Sequence, residues 1–267
     1  MTKKLMRGLV PALVLSLAVG LFAGCGSSNN NSQSEAPAQS EAAGSTTAAG
    51  SNSGNSGNAG AAAASGKDSL IIATANETPS VTTNLHNAVA GDYLNMMTHN
   101  GLFYTSDDLS PQPDLCETYE IVSDTEWLFH LRKGVKFHNG AEMTAKDVKA
   151  SLELCKESPQ VQQYGNSTGT IEIVDDYTIK ITTDGPQSGL LSDLCHHGNA
   201  ILPADLIESG HDFNKEPIGT GPYKLVAWNK GESLEFEANE DYWNGAPAIK
   251  KIVWKVIPEG SSRTMAL

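Results

Sequence analysis

Between residues 127 and 132 a large apolar residue stands at every second position of the chain. Trp127, Phe129 and Leu131 are each separated by one residue, a spacing typical of a strand with one buried face. Lys-Gly at 133–134 predicts a turn, after which the strand resumes at 135–137. Asn-Gly at 139–140 predicts a second tight turn.

The apolar period then changes to that of a helix. Val148, Leu152 and Cys155 fall at positions i, i+4 and i+7, so one stripe of the predicted helix is apolar. Thr144 stands at the N-cap position and Asp147 at N3, which is a shortened form of the capping box. The stretch therefore predicts paired strands that lead into an amphipathic helix.

Shorter patterns predict the other elements. The run at 69–75 predicts a buried first strand, residues 80–92 an irregular loop, and residues from Tyr93 towards Gly101 a helix. Further strands are predicted at 117–123, 170–174, 177–183, 200–203, 223–228, 233–238 and 250–257, and short helices at 189–195, 205–209 and from 261 onward.

The N-terminal segment has the pattern of a secretory signal. Three basic residues precede an uncharged apolar run at 9–22, which is too short for a good spanning helix. The segment at 21–25, Leu-Phe-Ala-Gly-Cys, resembles the lipobox of bacterial lipoproteins, in which the cysteine is acylated. This resemblance implies lipidation of Cys25, and the alternative is a secreted protein with a chance cysteine at that position.

Residues 26–66 consist almost entirely of Ser, Asn, Gly, Ala and Gln. Such a segment has too few apolar residues to offset the entropy of ordering. We expect it to form a flexible tether, with an end-to-end distance of roughly 35 Å from random-coil scaling.

Two blocks of residues resemble one family. Residues 129–140 follow Phe-x-Leu-Arg-x-Gly-Val-x-Phe-His-x-Gly, and residues 144–152 follow Thr-Ala-x-Asp-Val-x-x-Ser-Leu. Residues 219–225 follow Gly-x-Gly-x-Tyr-x-Leu and are succeeded by Trp228 and by Asn-x-x-Tyr-Trp at 239–243. Both blocks resemble the family 5 extracellular solute-binding proteins, the receptors of peptide and nickel ABC importers.

The resemblance implies an α/β fold like that of a type II periplasmic binding protein, a clamshell that is incomplete in this chain. It implies a ligand-facing mixed-sheet domain at 67–101 and 200–267, with a family-specific second α+β domain inserted at 102–199. Members of the family are about twice as long, so the third domain, which forms the second lobe, is expected beyond residue 267. We therefore interpret the chain as an N-terminal fragment or a truncated gene product.

The resemblance also supplies candidate ligand-binding residues. It implies a cleft lining at Val89, Ala90, Gly91, Asp92 and Tyr93, where glycine would allow a ligand backbone to approach closely. The alternative is a surface loop with a helix N-cap at Asp92. In peptide-binding members a tyrosine in the loop after the 145–155 helix reaches the ligand, which implies this role for Tyr164; the alternative is a packed surface tyrosine.

Composition narrows the possible partners. The whole chain has 18 basic and 31 acidic residues, and without the three basic residues of the signal 15 basic residues remain, a net charge of about −16. This balance argues against binding to nucleic acid or to an anionic membrane surface.

The cysteines and histidines do not indicate a metal site. Cys116, Cys155 and Cys195 have no Cys-x-x-Cys spacing, and we interpret them as buried or half-buried thiols, a disulfide between two of them being the alternative. The adjacent His196 and His197 have no further ligands at a usual spacing. We therefore predict no metal and no cofactor.

No nucleophile elbow, zinc-protease motif or Walker loop is present in the sequence, so we predict that the protein is not an enzyme. The leading hypothesis is an exported, lipid-anchored receptor that binds an oligopeptide or similar small solute and delivers it to an ABC permease. A nickel or metal-chelate receptor of the same family is the first alternative. A surface peptide sensor or adhesin without a transport role is the second.

Overall fold

The structure is a computed structural model that describes residues 68–266. The strands are β1 Ser69–Thr74, β2 Phe103–Thr105, β3 Pro111–Pro113, β4 Cys116–Ile121, β5 Glu126–Leu131, β6 Thr170–Asp175, β7 Thr178–Thr182, β8 Tyr223–Asn229, β9 Ser233–Ala238 and β10 Lys251–Val256. The helices are α1 Val89–Thr98, α2 Ala145–Glu157, α3 Gln162–Gly165, α4 Leu190–Leu194, α5 Ala204–Glu208 and α6 Gly260–Ala266, with 3-10 turns at Asn166–Thr168 and His197–Asn199. Within residues 68–266, no helix has the length and apolar character needed to cross a bilayer.

One sheet is built from the two ends of the described chain. Its strand order is β1-β10-β9-β8, with β1 parallel to β10 and the other pairs antiparallel. The side chains of Leu234 and Phe236 on β9 and of Ile252 on β10 are buried on one face of this sheet and pack against Leu94 of α1. The three predicted C-terminal strands are therefore confirmed.

The prediction that the first strand is buried was wrong. Ile71 is 56% exposed and Leu70 is 39% exposed. The physical reason is that β1 pairs only with β10 and forms the edge of the sheet, where one side of a strand has no neighbouring strand.

A second sheet has the order β4-β5-β7-β6 and is antiparallel throughout. Trp127, Phe129 and Leu131 of β5 are buried on one face, as their alternation predicted. The apolar stripe of α2 is also confirmed, because Val148, Leu152 and Cys155 are fully buried. The hairpin of β6 and β7 agrees with its prediction.

Both predicted glycine turns are present. Gly134 and Gly140 have φ values of 73° and 88°, a region that side chains with a Cβ rarely adopt. The strand expected at 135–137 is reduced to one bridge, between Lys136 and Glu142.

The N-terminus of α2 is fixed by Asp147. The Thr144 backbone N–H donates to Asp147 Oδ2 at 2.7 Å, and both contacts of the predicted capping box are present. Asp147 Oδ1 accepts from the Ala204 backbone N–H at 2.8 Å. One buried carboxylate therefore joins α2 to the start of α5.

Residues 200–203 do not form the predicted strand. The Leu202 N–H donates to Ser151 Oγ at 2.8 Å, and the Ile201 N–H donates to the Asn100 carbonyl at 2.9 Å. These backbone groups bond to a helix side chain and to one isolated carbonyl, so no sheet ladder forms.

The side chain of Asn100 connects Asp114 with the motif block at 219–243. Its Nδ2 donates to Asp114 Oδ2 at 3.0 Å and to the Tyr242 hydroxyl at 3.4 Å. Its Oδ1 accepts from the Thr220 hydroxyl at 3.1 Å and from Trp243 Nε1 at 3.4 Å. One amide therefore holds residues from three separate parts of the sequence.

The thiols of Cys116, Cys155 and Cys195 are unpaired, the first two buried and the third half-buried, in agreement with the sequence interpretation. The β2–β3 hairpin, by contrast, had no sequence prediction. Its strands are only three residues long, and β3 begins and ends with proline, so they lack the alternation on which strand predictions depend.

Candidate functional site

Helix α1 begins earlier than the sequence predicted. It starts at Val89 and not at Tyr93, and its N-cap residue is Ala88 and not Asp92. The first turn is closed by the N–H groups of Gly91 and Asp92, which both donate to the Ala88 carbonyl. The expected cleft-lining loop at 89–92 is therefore the first turn of a helix.

At Gly91 we expected the close approach of a ligand backbone, but the group that approaches it is the side chain of His86. A Cβ built on Gly91 would overlap the imidazole ring of His86. His86 is buried, and its ring is held by the Ala88 N–H at Nδ1 (3.2 Å) and by the Asn95 side-chain amide at Nε2 (3.0 Å). The missing side chain at Gly91 thus makes room for the segment that precedes α1.

A cleft of about 550 Å³ lies between α1 and the turns that follow α3 and α4. Its lining is polar and aromatic: Asp92, Asn95, Met96, His99, Asn100, Gly101, Phe103, Tyr104, Thr105, Asp114, Tyr164, Ser192, Cys195, His196, His197, Ala200, Tyr242 and Asn244. A concave site of this volume with a few convergent polar groups is typical of small-molecule binding.

The structure brings together two of the six predicted ligand-binding residues. Asp92 and Tyr164 both line the cleft, although they are separated by 72 positions in the sequence. Val89, Ala90 and Tyr93 do not line it, and Val89 is 66% exposed. The Tyr93 ring lies 6.4 Å from that of Trp254 on β10. Ligand contact by any of the six stays a prediction.

A stack of four rings forms one wall of the cleft and continues behind it. The Tyr164 ring centroid lies 3.6 Å from that of His196, His196 lies 4.1 Å from His197, and His197 lies 4.8 Å from His86. The stack joins the turn at 196–199 to the segment before α1. Sequence reasoning missed it because the contact between His86 and His197 joins residues 111 positions apart, and that between Tyr164 and His196 joins residues 32 positions apart.

Both ring nitrogens of His197 face acceptors. Nδ1 lies 2.9 Å from Asp92 Oδ1, and Nε2 lies 3.1 Å from the backbone carbonyl of His86. His197 therefore ties Asp92 to the His86 segment.

Burial keeps several neighbouring imidazoles neutral. It lowers the pKa of His99 to about 3, that of His196 to about 3 and that of His138 to about 4. Interactions with nearby histidines lower the pKa values of the first two further. Burial has the opposite effect on Asp114, because the disfavoured form is the anion, and raises its pKa to about 6 against the opposing effects of Asn100 and Arg132.

His86, Asp92 and His197 are the only group within residues 68–266 whose ligand atoms are close enough for one metal ion, all within 4.8 Å of one another. Each nitrogen of the two imidazoles already has a protein partner. An ion would have to replace hydrogen bonds and displace ring protons. The predicted absence of a metal stays a prediction, and no local spacing in the sequence indicated this group.

Residues 110–267, more than half of the chain, match the family described as bacterial extracellular solute-binding proteins, family 5 Middle, and the chain belongs to that family. The glutathione-binding protein GsiB of Pectobacterium atrosepticum is 32% identical over 175 residues, which are 63% of this chain and 34% of that protein. GsiB of Salmonella choleraesuis is 30% identical over 216 residues, which are 77% of this chain and 41% of that protein. The chain thus spans between about a third and two fifths of the length of these relatives.

Solved structures show the same fold. The periplasmic binding protein DppA from Helicobacter pylori, in complex with the peptide STSA, has a TM-score of 0.67 and 30% identity, over 74% of this chain and 44% of that one. NikZ from Campylobacter jejuni, in complex with Ni(L-His), has a TM-score of 0.66 and 31% identity, over 75% of this chain and 41% of that one. The described residues therefore have the fold of part of a type II periplasmic binding protein, and the predicted fold class and family are confirmed.

The packing of His86 against Gly91 yields a first prediction. We expect Gly91→Ala to lower the free energy of unfolding by about 1 to 3 kcal/mol, because the added methyl group overlaps the His86 ring. This loss opposes the roughly 1 kcal/mol that alanine contributes over glycine inside a helix. Urea denaturation measures the change. Gly185→Ala is the matched control, since no atom lies within 4 Å of its added Cβ; a neutral or stabilising Gly91→Ala would contradict the packing.

The histidines with lowered pKa values yield a second prediction. His99, His138 and His196 have native pKa values below their ordinary value of 6.5, so between pH 6.5 and about 4 the unfolded chain binds more protons than the native one. Stability is then complete above pH 6.5 and falls as the pH falls, by on the order of 1 kcal/mol per pH unit for each histidine. Urea denaturation between pH 7.5 and 5 measures this slope.

We expect His99→Asn to reduce that slope by about one proton. Equal slopes in the wild type and His99→Asn would contradict burial of a neutral His99.

Proposed function

We propose that the whole protein is the substrate-binding lipoprotein of an ABC importer, which captures an oligopeptide or a similar small solute outside the cell and delivers it to a membrane permease. The observation that carries this proposal is the family match over residues 110–267, because that family consists of bacterial extracellular solute-binding proteins. GsiB relatives named as glutathione-binding and a DppA structure with a bound peptide support a peptide-like solute. No enzyme is among these relatives, and the non-enzymatic role is inferred from the family alone.

The arrangement of the two sheets supports the proposed division into domains. The sheet of β1, β8, β9 and β10 comes from residues 69–74 and 223–256, and the sheet of β4 to β7 comes from residues 116–182. We propose that residues 67–101 and 200–267 belong to a first lobe and residues 102–199 to an inserted domain. The cleft lies where these parts meet, and the solute contacts Asp92 and Tyr164 there.

A nickel or metal-chelate receptor is the second candidate function. It is favoured by the group of His86, Asp92 and His197, and by the similar structure of NikZ with Ni(L-His). The engaged nitrogens of both imidazoles weigh against it, so a peptide-like solute is the preferred proposal.

Ligand binding by the purified 267-residue chain tests the proposal. We expect the tetrapeptide Ser-Thr-Ser-Ala or glutathione to bind in isothermal titration calorimetry and to raise the melting temperature, with a stabilisation of about 2.7 kcal/mol at a ligand concentration 100 times the Kd. Tyr164→Ala should weaken binding several-fold. Tyr177→Ala is the matched control, since it removes a half-exposed tyrosine outside the cleft lining.

Two outcomes would contradict the proposed solute class. Binding of the nickel–histidine complex, with no binding of either peptide, would favour the second candidate. No binding of any of the three would contradict a solute-binding role for this chain.

The lipid anchor lies outside the described residues and is proposed from the sequence at 21–25. Acylation of Cys25 would place the protein at the outer face of the cell membrane, since several acyl chains hold a protein there far longer than one chain does. In cells fed an alkyne-labelled fatty acid, we expect label on the wild type and on Cys195→Ser, and none on Cys25→Ser. Label on Cys25→Ser would show that another residue is acylated.

A further inference from the structure

His138 joins the loop before α2 to the Gly-Thr-Gly segment at 219–221. Its backbone N–H donates to the Gly219 carbonyl at 2.8 Å. Both nitrogens of its ring contact the same segment, because the Gly219 N–H donates to Nδ1 at 3.4 Å and Nε2 lies 3.0 Å from the Gly221 carbonyl. One residue of the first motif block therefore makes three hydrogen bonds to the backbone of the second.

These two partners determine which nitrogen of the His138 ring carries the proton. The N–H of Gly219 can only donate, so Nδ1 carries a lone pair, and the carbonyl of Gly221 can only accept, so Nε2 carries the proton. The neutral ring satisfies both partners in this form. A second proton would go on Nδ1, where it would face another N–H group and remove the hydrogen bond from Gly219.

The segment that His138 contacts is also packed against the end of α1. A Cβ on Gly219 or Gly221 would overlap the Thr98–His99 backbone. Thr220 is fully buried, and its hydroxyl donates to the Asn100 side chain at 3.1 Å. A change at His138 therefore acts on the segment that positions Asn100.

The surroundings of His138 disfavour a charged ring. Burial lowers the pKa of His138 to about 4, against the opposing effect of its bond to Gly221, and Lys224 on β8 lowers it further. No carboxylate is among the described groups that act on this ring. At the end of α1, the imidazole of His99 packs against Gly219 and is itself neutral, since burial lowers its pKa to about 3.

We propose that His138 is an acid-sensitive switch, in which protonation of the ring separates residues 219–221 from the loop before α2 while both sheets stay folded. The neutral ring accepts from Gly219 and donates to Gly221, whereas an imidazolium has no lone pair with which to accept. In the proposed division into domains, His138 belongs to the inserted domain and residues 219–221 to the first lobe. The switch therefore acts on the joint between these two parts.

The direction of the pH effect follows from the two states of this joint. Opening exposes the ring, which then has the ordinary pKa of 6.5, whereas the closed joint holds it at about 4. Between these values the open state binds more protons than the closed state. The closed joint therefore has its full stability above pH 6.5, and the opening equilibrium rises by up to about tenfold for each pH unit below that value, until about pH 4.

Amide hydrogen exchange of the ¹⁵N-labelled 267-residue chain measures the opening. The N–H of Gly221, which donates to the Thr98 carbonyl, and the N–H of His138 report on the joint. The N–H of Ile179 reports on global unfolding, because β7 is paired on both sides. After correction for the intrinsic pH dependence of exchange, we expect the protection of Gly221 and His138 to fall roughly sevenfold from pH 6 to pH 5, and to lie well below that of Ile179.

Two variants assign the effect to His138. In His138→Gln the amide can accept from Gly219 and donate to Gly221 without titrating, so we expect the pH dependence of Gly221 exchange to be lost. Lys224→Gln removes a charge that lowers the pKa of His138, so the ring should titrate at a higher pH. Lys230→Gln is the matched control, since Lys230 is not among the described groups that act on this ring.

The ¹⁵N signals of the wild-type ring need no variant, and we expect them to show a neutral ring with its proton on Nε2 at pH 7. A proton on Nδ1 at that pH would contradict the switch. Equal exchange rates for Gly221 and Ile179 would show that the joint opens only when the chain unfolds, and an unchanged pH dependence in His138→Gln would show that another group controls it. These measurements use no solute, so their outcome is independent of the proposed function.

Discussion

The fold depends on a backbone-to-backbone contact between the end of α1 and the Gly-Thr-Gly segment at 219–221. The Gly221 N–H donates to the Thr98 carbonyl at 3.0 Å, and a Cβ on either glycine would overlap the Thr98–His99 backbone. Only glycine permits this approach. The contact positions Asn100, whose amide then joins Asp114, Thr220, Tyr242 and Trp243. The cleft is thus positioned by residues whose own role is structural.

The close packing at Gly219 and Gly221 also affects the charge of His99 in the cleft. His99 lies against the two glycines and is sealed from solvent, so its ring stays neutral and presents a lone pair. Both ring nitrogens of His197, by contrast, lie beside acceptors, Nδ1 at 2.9 Å from the Asp92 carboxylate and Nε2 at 3.1 Å from the His86 carbonyl. Two imidazoles that line the same cleft therefore differ in their hydrogen-bonding character because their neighbours differ. An acidic chain thus forms a cleft whose lining includes carboxylates, neutral imidazoles and no lysine or arginine among the residues described.

Local patterns predicted the elements whose stability depends on one buried face. The alternation of β5 and the stripe of α2 are read directly from adjacent residues, and both agree with the structure. The start of α1 was missed because Gly91 disfavours a helix locally, and the packing that offsets this comes from His86. Of the site, the family resemblance supplied Asp92 and Tyr164. It did not supply His99, Asp114 or the ring stack, because their relations are formed by residues far apart in sequence.

The parallel pairing of β1 with β10 has a consequence for how the molecule is made. Ser69 lies opposite Lys251, so about 180 residues must emerge from the ribosome before the edge strand meets its partner. Contacts of such long range slow folding, because the chain entropy of closing the loop is lost before the contact forms. Leu70 and Ile71 therefore stay unpaired until the last of these residues has been synthesised, and an unpaired strand edge of this kind is prone to aggregation.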